Sequence, residues 1–290
     1  MTLAPAPSGP PRRLAYLGTP DLAVPPLRAL VDAGFEVALV VSQPDRRRGR
    51  GSTLSPSPVK AAALEIGLPV TDRVEDVIDA DADLGVVVAY GRIIRPPVLA
   101  AVPMVNVHFS LLPRWRGAAP VERAILAGDE RTGVDLMVVE ESLDTGGIYG
   151  RVELDIGPDE TLEELRDRLV AAGTTLLVSR LRAGLGAPRP QEGEATYAAK
   201  IEPSEREIDW ARPAVDVHRL VRVGGAWTTH HGRRLKVLRT VVPPTGAGPV
   251  VEAGDQPIEL VEVQPEGKQR VPGEAWANGA HWHAGDRLGT

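Results

Sequence analysis

The feature that most constrains the fold is a repeated alternation of short apolar runs with helical stretches between Arg13 and about Leu185. The runs are rich in valine and leucine, which is typical of strands buried on both faces of a parallel sheet. We predict strands over residues 14–18, 37–41, 84–90, 104–108 and 133–140. Helices are predicted over 22–32, 57–66, 118–127 and 160–183. The pattern therefore indicates an α/β domain with a mostly parallel sheet.

The chain changes character after the long amphipathic helix. Gly184–Pro190 contains Gly184, Gly186, Pro188 and Pro190, which end that helix. Beyond it, the apolar runs over 235–242 and 257–263 are short and strand-like, and 214–222 is a further helical stretch. We expect a disordered tail over 1–12, a catalytic domain over 13–186, a linker over 187–205 and a small β-rich domain over 206–290.

Composition excludes several classes of site. The chain has no cysteine, so disulfides, thiolate metal sites and cysteine nucleophiles are excluded. The histidine pairs His230-His231 and His281-x-His283 have no obvious third ligand, and we predict that no metal is bound. The proline-rich first twelve residues lack the apolar core of a signal peptide, and no apolar run is long enough to span a bilayer. We therefore expect a cytoplasmic protein with no membrane contact. We also expect a monomer.

Three polar residues are candidates for chemistry at one edge of the predicted sheet. Asn106 and His108 are two apart on one strand, so they project from the same face at its carboxyl end. Asp144 follows on a glycine-flanked turn. An amide, an imidazole and a carboxylate would together suit acyl transfer to an amine, because they can stabilise an oxyanion and move a proton.

A structural interpretation of the same residues stays open. An asparagine and a histidine at the end of a strand are more often ordinary hydrogen-bonded groups than catalysts. An aspartate before Thr145-Gly146 is usually a turn former. The spacing by itself does not decide between the two interpretations.

Several short motifs together resemble those of the 10-formyltetrahydrofolate-dependent formyltransferases. They are Asn106-x-His108, Ser110-Leu111-Leu112-Pro113 with Arg116-Gly117, and Leu143-Asp144-Thr145-Gly146. The resemblance implies a Rossmann-like N-terminal formyltransferase domain in which Asn106, His108 and Asp144 are catalytic. It also implies that 10-formyltetrahydrofolate is the cosubstrate, with no metal. The folate-binding residues that it implies are Ser110, Leu111, Leu112, Pro113, Val88, Ala89 and Tyr90.

Three further features resemble the members of that family that act on methionyl-tRNA. They are Leu17–Pro20, a long insertion over 42–60, and a C-terminal domain containing Gln264-Pro265-x-Gly267-Lys268. This resemblance implies transfer of a formyl group to the amino group of methionine on initiator tRNA, for translation initiation. One alternative is a folate-dependent formyltransferase for an amino sugar nucleotide or another small amine. A folate-binding or RNA-binding module without activity is a second alternative.

Two clusters of basic residues are candidate contacts to tRNA, although the net charge of the chain is −6. Arg46, Arg47, Arg48 and Arg50 crowd the insertion, where a solvated basic loop is the alternative interpretation. The stretch from Arg212 to Thr240 contains seven basic residues and one acid, Asp216, which gives a local charge of +6. The basic residues are Arg212, Arg219, Arg222, Arg233, Arg234, Lys236 and Arg239. From this stretch we assign Arg233, Arg234 and Lys236 to tRNA binding.

The C-terminal domain departs from the resemblance in one respect. Its β-rich pattern is similar to the OB-like barrel of the family, an architecture that often binds nucleic acid. Between Pro243 and Glu259, however, the chain is shorter than the resemblance implies. We therefore expect an OB-like domain in abbreviated form, and the sequence leaves open whether its barrel closes.

Overall fold

The structure is a computed structural model that describes residues 2–47, 54–283 and 285–289. The chain forms two compact units, each built from three segments. The first unit comprises Met1–Pro120, Arg131–Asp155 and Arg166–Ala198, and the second comprises Val121–Glu130, Ile156–Leu165 and Ala199–Thr290.

The described part of the first unit contains the strands β1 Arg13–Gly18, β2 Glu36–Val41, β3 Arg46–Arg47, β4 Leu54–Ser55, β5 Val70–Thr71, β6 Leu84–Val88, β7 Met104–His108, β8 Arg116–Gly117, β9 Arg131–Val138, β10 Ile148–Asp155 and β11 Tyr197–Ala198. Its helices are α1 Val24–Asp32, α2 Pro58–Glu65 and α3 Pro96–Ala101, with 3-10 turns at Asp21–Ala23 and Val74–Val77. Helices α4 Pro120–Ala127 and α5 Leu162–Ala183 contribute residues to both units.

Seven of these strands form one sheet in the order β10-β9-β7-β6-β1-β2-β5. The pairs among β5, β2, β1, β6 and β7 are parallel, whereas β7–β9 and β9–β10 are antiparallel. Every residue of β6 is buried, because a central strand is covered on both faces. The prediction of an α/β domain with a mostly parallel sheet is confirmed.

The parallel strands bring their carboxyl ends to one edge of the sheet. Register pairs Gly18 at the end of β1 with Val88 at the end of β6, and Val87 with Asn106 on β7. The predicted strand 84–90 ends at Val88, because Ala89 takes the left-handed conformation with φ +46°. Ligands bind at this edge in open α/β sheets.

Two side chains, one after β1 and one after β2, bind a single backbone carbonyl after β6. Thr19 Oγ1 donates to the carbonyl oxygen of Tyr90 at 2.9 Å, and Gln43 Nε2 donates to the same oxygen at 3.2 Å. Thr19 follows β1, Gln43 follows β2 and Tyr90 follows β6. These hydrogen bonds hold the loops that leave the sheet at the same edge.

The first unit also includes contacts made by the residues before β1. The N–H of Ala4 donates to the carbonyl of Leu99 in α3 at 3.0 Å, and Leu3 packs against the same apolar cluster as Leu99. Residues 2–12 form no helix or strand.

The second unit contains helices α6 Ala214–Val223 and α7 Gly273–Ala280, a 3-10 turn at Pro203–Arg206, and strands β12 Trp227–His230, β13 Arg233–Val241, β14 Val250–Glu252, β15 Pro257–Pro265 and β16 Val271–Pro272. The strands form an antiparallel sheet in the order β12-β13-β15-β14, and β16 also pairs with β15. Val217, Val221, Val237, Leu260 and Trp276 belong to its buried core.

The β-rich character predicted for the C-terminal part is therefore confirmed. The sheet is open in the part of the chain that the structure describes, since no strand pairing there connects β12 with β14 or β16. The strands β12, β14 and β16 and helix α7 were not predicted, because each is short and its apolar pattern is weak.

Two buried basic side chains of the second unit bind the segment just before α5. His218 Nδ1 lies 2.9 Å from Thr240 Oγ1, and its Nε2 lies 3.1 Å from Asp159 Oδ1. Arg222 donates to the carbonyls of Gly157 and Glu160, each at 2.8 Å. Burial lowers the pKa of His218, although the nearby carboxylate of Asp159 acts in the opposite direction.

The lowered pKa of His218 predicts a specific pH dependence of stability. Because the folded state binds fewer protons than the unfolded state, this contribution to stability is present above the unfolded pKa of about 6.5 and is lost as pH falls through the lower folded pKa. In the variant His218→Gln, which does not titrate, we expect the free energy of unfolding to decline less steeply below about pH 6.5. Urea unfolding over a pH series measures the slope. The exposed His283→Gln is the control, and equal slopes for wild type and His218→Gln would contradict the prediction.

Candidate active site

Asn106 and His108 lie on the same face of β7, as the alternation of a strand requires. His108 is paired in register with Asp135 of β9, and Asn106 with Met137. The side chain of His108 is buried, and that of Asn106 is half-buried. The two side chains are therefore presented by a rigid strand at the edge of the sheet where parallel strands end.

The structure brings Asp144 to His108. Nδ1 of the imidazole lies 3.7 Å from Oδ2 of Asp144, whose side chain is 12% exposed. Nε2 lies 3.0 Å from the carbonyl oxygen of Trp115. Because a carbonyl only accepts hydrogen bonds, Nε2 donates to it and carries a proton, which leaves Nδ1, beside the carboxylate, as the ring nitrogen free to exchange a proton. Two of the three predicted catalytic residues therefore approach each other to 3.7 Å, and Asn106 shares the face of His108.

The turn that carries Asp144 is held in an uncommon conformation. Asp144 has φ +52°, and its Oδ2 accepts the backbone N–H of Gly117 at 2.8 Å. The amide nitrogen of Gln191 donates to the carbonyls of Asp144 and Gly146, at 2.8 and 2.9 Å. A Cβ on Gly146 would lie 2.1 Å from the carbonyl oxygen of Val138, so this position requires glycine. The Asp-Thr-Gly pattern is thus explained by backbone geometry.

The loop that follows β7 folds back on His108. Ser110 Oγ donates to the carbonyl of Arg114 at 2.6 Å, and the Leu112–Pro113 peptide bond is cis. Trp115 has φ +63°, and its N–H donates to Thr196 Oγ1 at 2.9 Å. This conformation directs the carbonyl of Trp115 to the imidazole of His108.

An ion pair between the buried Asp135 and the partly exposed Arg151 holds the centre of this loop, and the sequence interpretation missed it. Asp135 is fully buried and accepts from Arg151 Nε at 2.7 Å and Nη2 at 2.6 Å. The same pair binds both backbone groups of Leu112, whose N–H donates to Asp135 at 2.8 Å and whose carbonyl accepts from Arg151 at 2.6 Å. The hydrogen bond with Asp135 raises the pKa of Arg151 further. An aspartate inside the apolar run of β9 was the available signal.

The predicted folate-binding residues lie at the ends of β6 and β7. Ser110, Leu112, Pro113, Val88 and Tyr90 are buried, and Leu112 packs with Met137 and Ile148. Leu111 and Ala89 are partly exposed. Any contact from the buried members to a ligand therefore involves backbone groups more than side chains.

The predicted tRNA-binding residues occupy both units. Arg46 and Arg47 form the exposed strand β3, which pairs with β4, whereas Arg48 and Arg50 lie outside the residues that the structure describes. In the second unit Arg233, Arg234 and Lys236 are exposed on β13, and the guanidinium of Arg234 lies 4.1 Å from the ring centre of Trp227. A cation over an aromatic ring is a favourable contact.

The local charge of +6 counted over residues 212–240 is larger than the positive charge that these residues present to solvent. Arg222 is buried against carbonyl groups, and Arg212 and Arg219 both pair with Asp216. Arg239 pairs with Glu164. Arg222 is therefore withdrawn from the surface, and the ion pairs of Arg212, Arg219 and Arg239 lower the net positive charge of this stretch. The interpretation of the stretch as an RNA-facing stripe stays a prediction.

Neither a metal cluster nor a membrane span is found among the described residues. No group of three or more histidine, aspartate or glutamate side chains in them is placed to hold a metal ion. No helix in the same part of the chain is long and apolar enough to cross a membrane.

The sequence matches known families over most of its length. Residues 12–181 match the formyl transferase family, and residues 200–281 match the C-terminal domain of formyl transferases. A methionyl-tRNA formyltransferase from Symbiobacterium thermophilum is 44% identical over 310 residues, covering 95% of this chain and 95% of the relative. One from Roseobacter denitrificans is 44% identical over 293 residues, covering 92% and 96%.

The fold is also similar to solved structures. An N-formyltransferase from Helicobacter canadensis, in complex with folinic acid and dTDP-3-aminofucose, has a TM-score of 0.65. The comparison covers 90% of this chain and 98% of that chain at 17% sequence identity. This likeness concerns the fold alone.

Removal of Arg151 should destabilise the protein, since it leaves the buried carboxylate of Asp135 without its counter-charge. For Arg151→Met we expect the free energy of unfolding to fall by about 3 kcal/mol. The control is Arg131→Met, which breaks the exposed pair with Glu153 and should cost about 1 kcal/mol or less. Urea unfolding of the three proteins measures both values, and equal losses in the two variants would contradict the role given to the Asp135–Arg151 pair.

Proposed function

The chain belongs to the formyltransferase family, and from this premise we propose that it transfers a formyl group from 10-formyltetrahydrofolate to the amino group of methionine on initiator tRNA. The proposal is supported by relatives named methionyl-tRNA formyltransferases that are 44% identical over nearly the whole chain. The observation that carries the chemistry is the 3.7 Å approach of His108 Nδ1 and Asp144 Oδ2 at the end of β7. Formylated methionyl initiator tRNA would serve translation initiation.

Formyl transfer to an amine sets two demands on the site. The tetrahedral intermediate carries a negative oxygen, and the attacking nitrogen must lose a proton. We assign the oxyanion to the amide of Asn106, which is half-buried on the same strand face as His108. We assign the proton to Nδ1 of His108, where the resulting imidazolium lies beside the carboxylate of Asp144.

With these assignments the reaction is complete without a covalent enzyme intermediate. The bond between the methionine nitrogen and the formyl carbon forms, and the bond from that carbon to the folate nitrogen breaks. The proton held by His108 passes to the departing folate nitrogen. Nε2 keeps its own proton throughout, because it stays hydrogen-bonded to the carbonyl of Trp115.

We place the folate where β6 and β7 end. Ala89 and Leu111 offer partly exposed surface there, and Val88, Tyr90, Ser110, Leu112 and Pro113 contribute through backbone and packing. The carbonyl of Tyr90 already accepts two hydrogen bonds, from Thr19 and Gln43, so it fixes the loop and is not free for the ligand. The Asp135–Arg151 pair would keep Leu112 in place beneath the cosubstrate.

We propose two regions for contact with tRNA. Arginine side chains bind phosphate in a bidentate manner and stack on bases, which suits Arg46 and Arg47 in the hairpin and also Arg48 and Arg50, which follow in the sequence. In the second unit the proposal rests on Arg233, Arg234 and Lys236. These side chains are exposed and form no ion pair with the described residues.

The acceptor assignment is tested by varying the amine. With labelled 10-formyltetrahydrofolate as donor, we expect transfer to methionyl initiator tRNA, slower transfer to methionyl elongator tRNA, and none to a dTDP-linked amino sugar. Acid-stable label recovered in each acceptor measures the three rates. Transfer to the amino sugar and not to tRNA would overturn the acceptor. Equal rates with both tRNAs would remove the preference for initiator tRNA.

The contribution of the second unit is tested by removing charge from β13. For the triple variant Arg233→Gln, Arg234→Gln, Lys236→Gln we expect a higher KM for tRNA and an unchanged kcat. The slope of log KM against log salt concentration should become shallower by up to about 0.9 for each phosphate that the variant no longer binds. The control removes the same charge from ion-paired positions: Arg212→Gln, Arg219→Gln and Arg239→Gln. Equal effects in the two triple variants would contradict the assignment.

A further inference from the structure

The segment that follows α5 returns to the candidate active site. Arg189 exchanges backbone hydrogen bonds with Ile148 at 2.7 and 2.9 Å, and β11 pairs with β8. These residues lie between the two family matches, which end at 181 and resume at 200. They also lie within the linker predicted from the sequence. The segment therefore makes specific contacts with the loops that carry Asp144 and Gly117.

Gln191 is the centre of these contacts. Its Nε2 donates to the carbonyls of Asp144 and Gly146, at 2.8 and 2.9 Å. Its Oε1 accepts from Arg116 Nη2 at 2.6 Å and from Arg116 Nε at 3.2 Å. The orientation of the amide is fixed by chemistry, because carbonyls only accept and a guanidinium only donates.

The amide of Gln191 binds both structural elements that position the Asp144 carboxylate. On one side, Gln191 binds the backbone of the Asp144 turn, which has φ +52° and needs support because non-glycine residues rarely adopt this conformation. On the other, it binds Arg116, and the next residue, Gly117, donates its N–H to Asp144 Oδ2. One side chain thus links the turn to the strand that receives its carboxylate.

We infer that Gln191 is a positioning residue for the proposed formyl transfer, acting through the distance between Asp144 and His108. The inference rests on the proposed function. The N–H groups of Gln191 fix the position of the Asp144 turn. Its carbonyl oxygen fixes Arg116 and thereby the position of Gly117. Displacement of either end moves the carboxylate away from Nδ1 of His108, and a displacement of about 1 Å at a reacting group is enough to slow a reaction strongly.

The variant Gln191→Glu separates the two ends of the side chain. Its carboxylate has the same shape and still accepts from Arg116, but at neutral pH it has no hydrogen to donate and repels the carbonyls of Asp144 and Gly146. We expect kcat to fall about 10-fold to 100-fold, with KM for the folate and for tRNA within about twofold of wild type. Gln256→Glu adds the same charge at an exposed position and should leave both constants unchanged.

A double-mutant cycle with Asp144→Asn tests whether Gln191 acts through Asp144. If it does, Gln191→Glu should lower kcat by less than about twofold in the Asp144→Asn background, because the two residues form one unit. A residue that supports the fold in general would instead lower kcat by the same factor in both backgrounds. That additive result would overturn the inference.

The pH profile gives a second readout. A protonated glutamic acid regains one donor, so the ratio of Gln191→Glu to wild-type activity should rise as pH falls towards the glutamate pKa of about 4.3. A ratio that stays flat over the whole range would contradict the hydrogen-bond explanation. Formyl transfer by the wild-type protein serves as the reference in every arm. Its absence would refute the proposed function, whereas its presence with an unaffected Gln191→Glu variant would refute this inference alone.

Discussion

The candidate site depends on keeping the carboxylate of Asp144 beside the imidazole of His108. The two residues belong to different parts of the sheet, one on a buried strand and the other on a turn with a left-handed backbone. A turn of this kind is not stable by itself, because a left-handed backbone conformation is costly for a residue with a Cβ. Hydrogen bonds from Gly117 and Gln191 stabilise it, and the absence of a side chain at Gly146 allows its close approach to Val138.

The rest of the first unit can be understood as support for that arrangement. The parallel strands bring loops to one edge of the sheet, and hydrogen bonds to Tyr90 tie those loops together. The Asp135–Arg151 pair fixes Leu112, and with it the loop whose Trp115 carbonyl orients His108. The hydrogen bond to that carbonyl favours one orientation and one tautomer of the imidazole, which is the preorganisation that acyl transfer to an amine requires.

Local patterns in the sequence were sufficient for part of this structure. The period of two on a strand placed Asn106 and His108 on one face, and the valine-rich runs indicated a parallel sheet. The contacts that hold the site are long-range, and periodicity carries no information about them. Gln191 contacts Asp144 across 47 positions of sequence, and Arg151 reaches Leu112 across 39. Charge counting is limited for a related reason, since it does not show that Arg222 and Arg239 are bound by residues before and within α5.

The central claim is that Nδ1 of His108, beside Asp144, accepts the proton in the chemical step. The variant His108→Gln tests it most directly, since the glutamine amide can still donate to the carbonyl of Trp115 but has no group basic enough to accept the proton. Under single-turnover conditions with both substrates saturating, the rate of formyl transfer should fall about 100-fold or more. A rate close to that of the wild-type protein would show that the imidazole serves the fold and not the reaction.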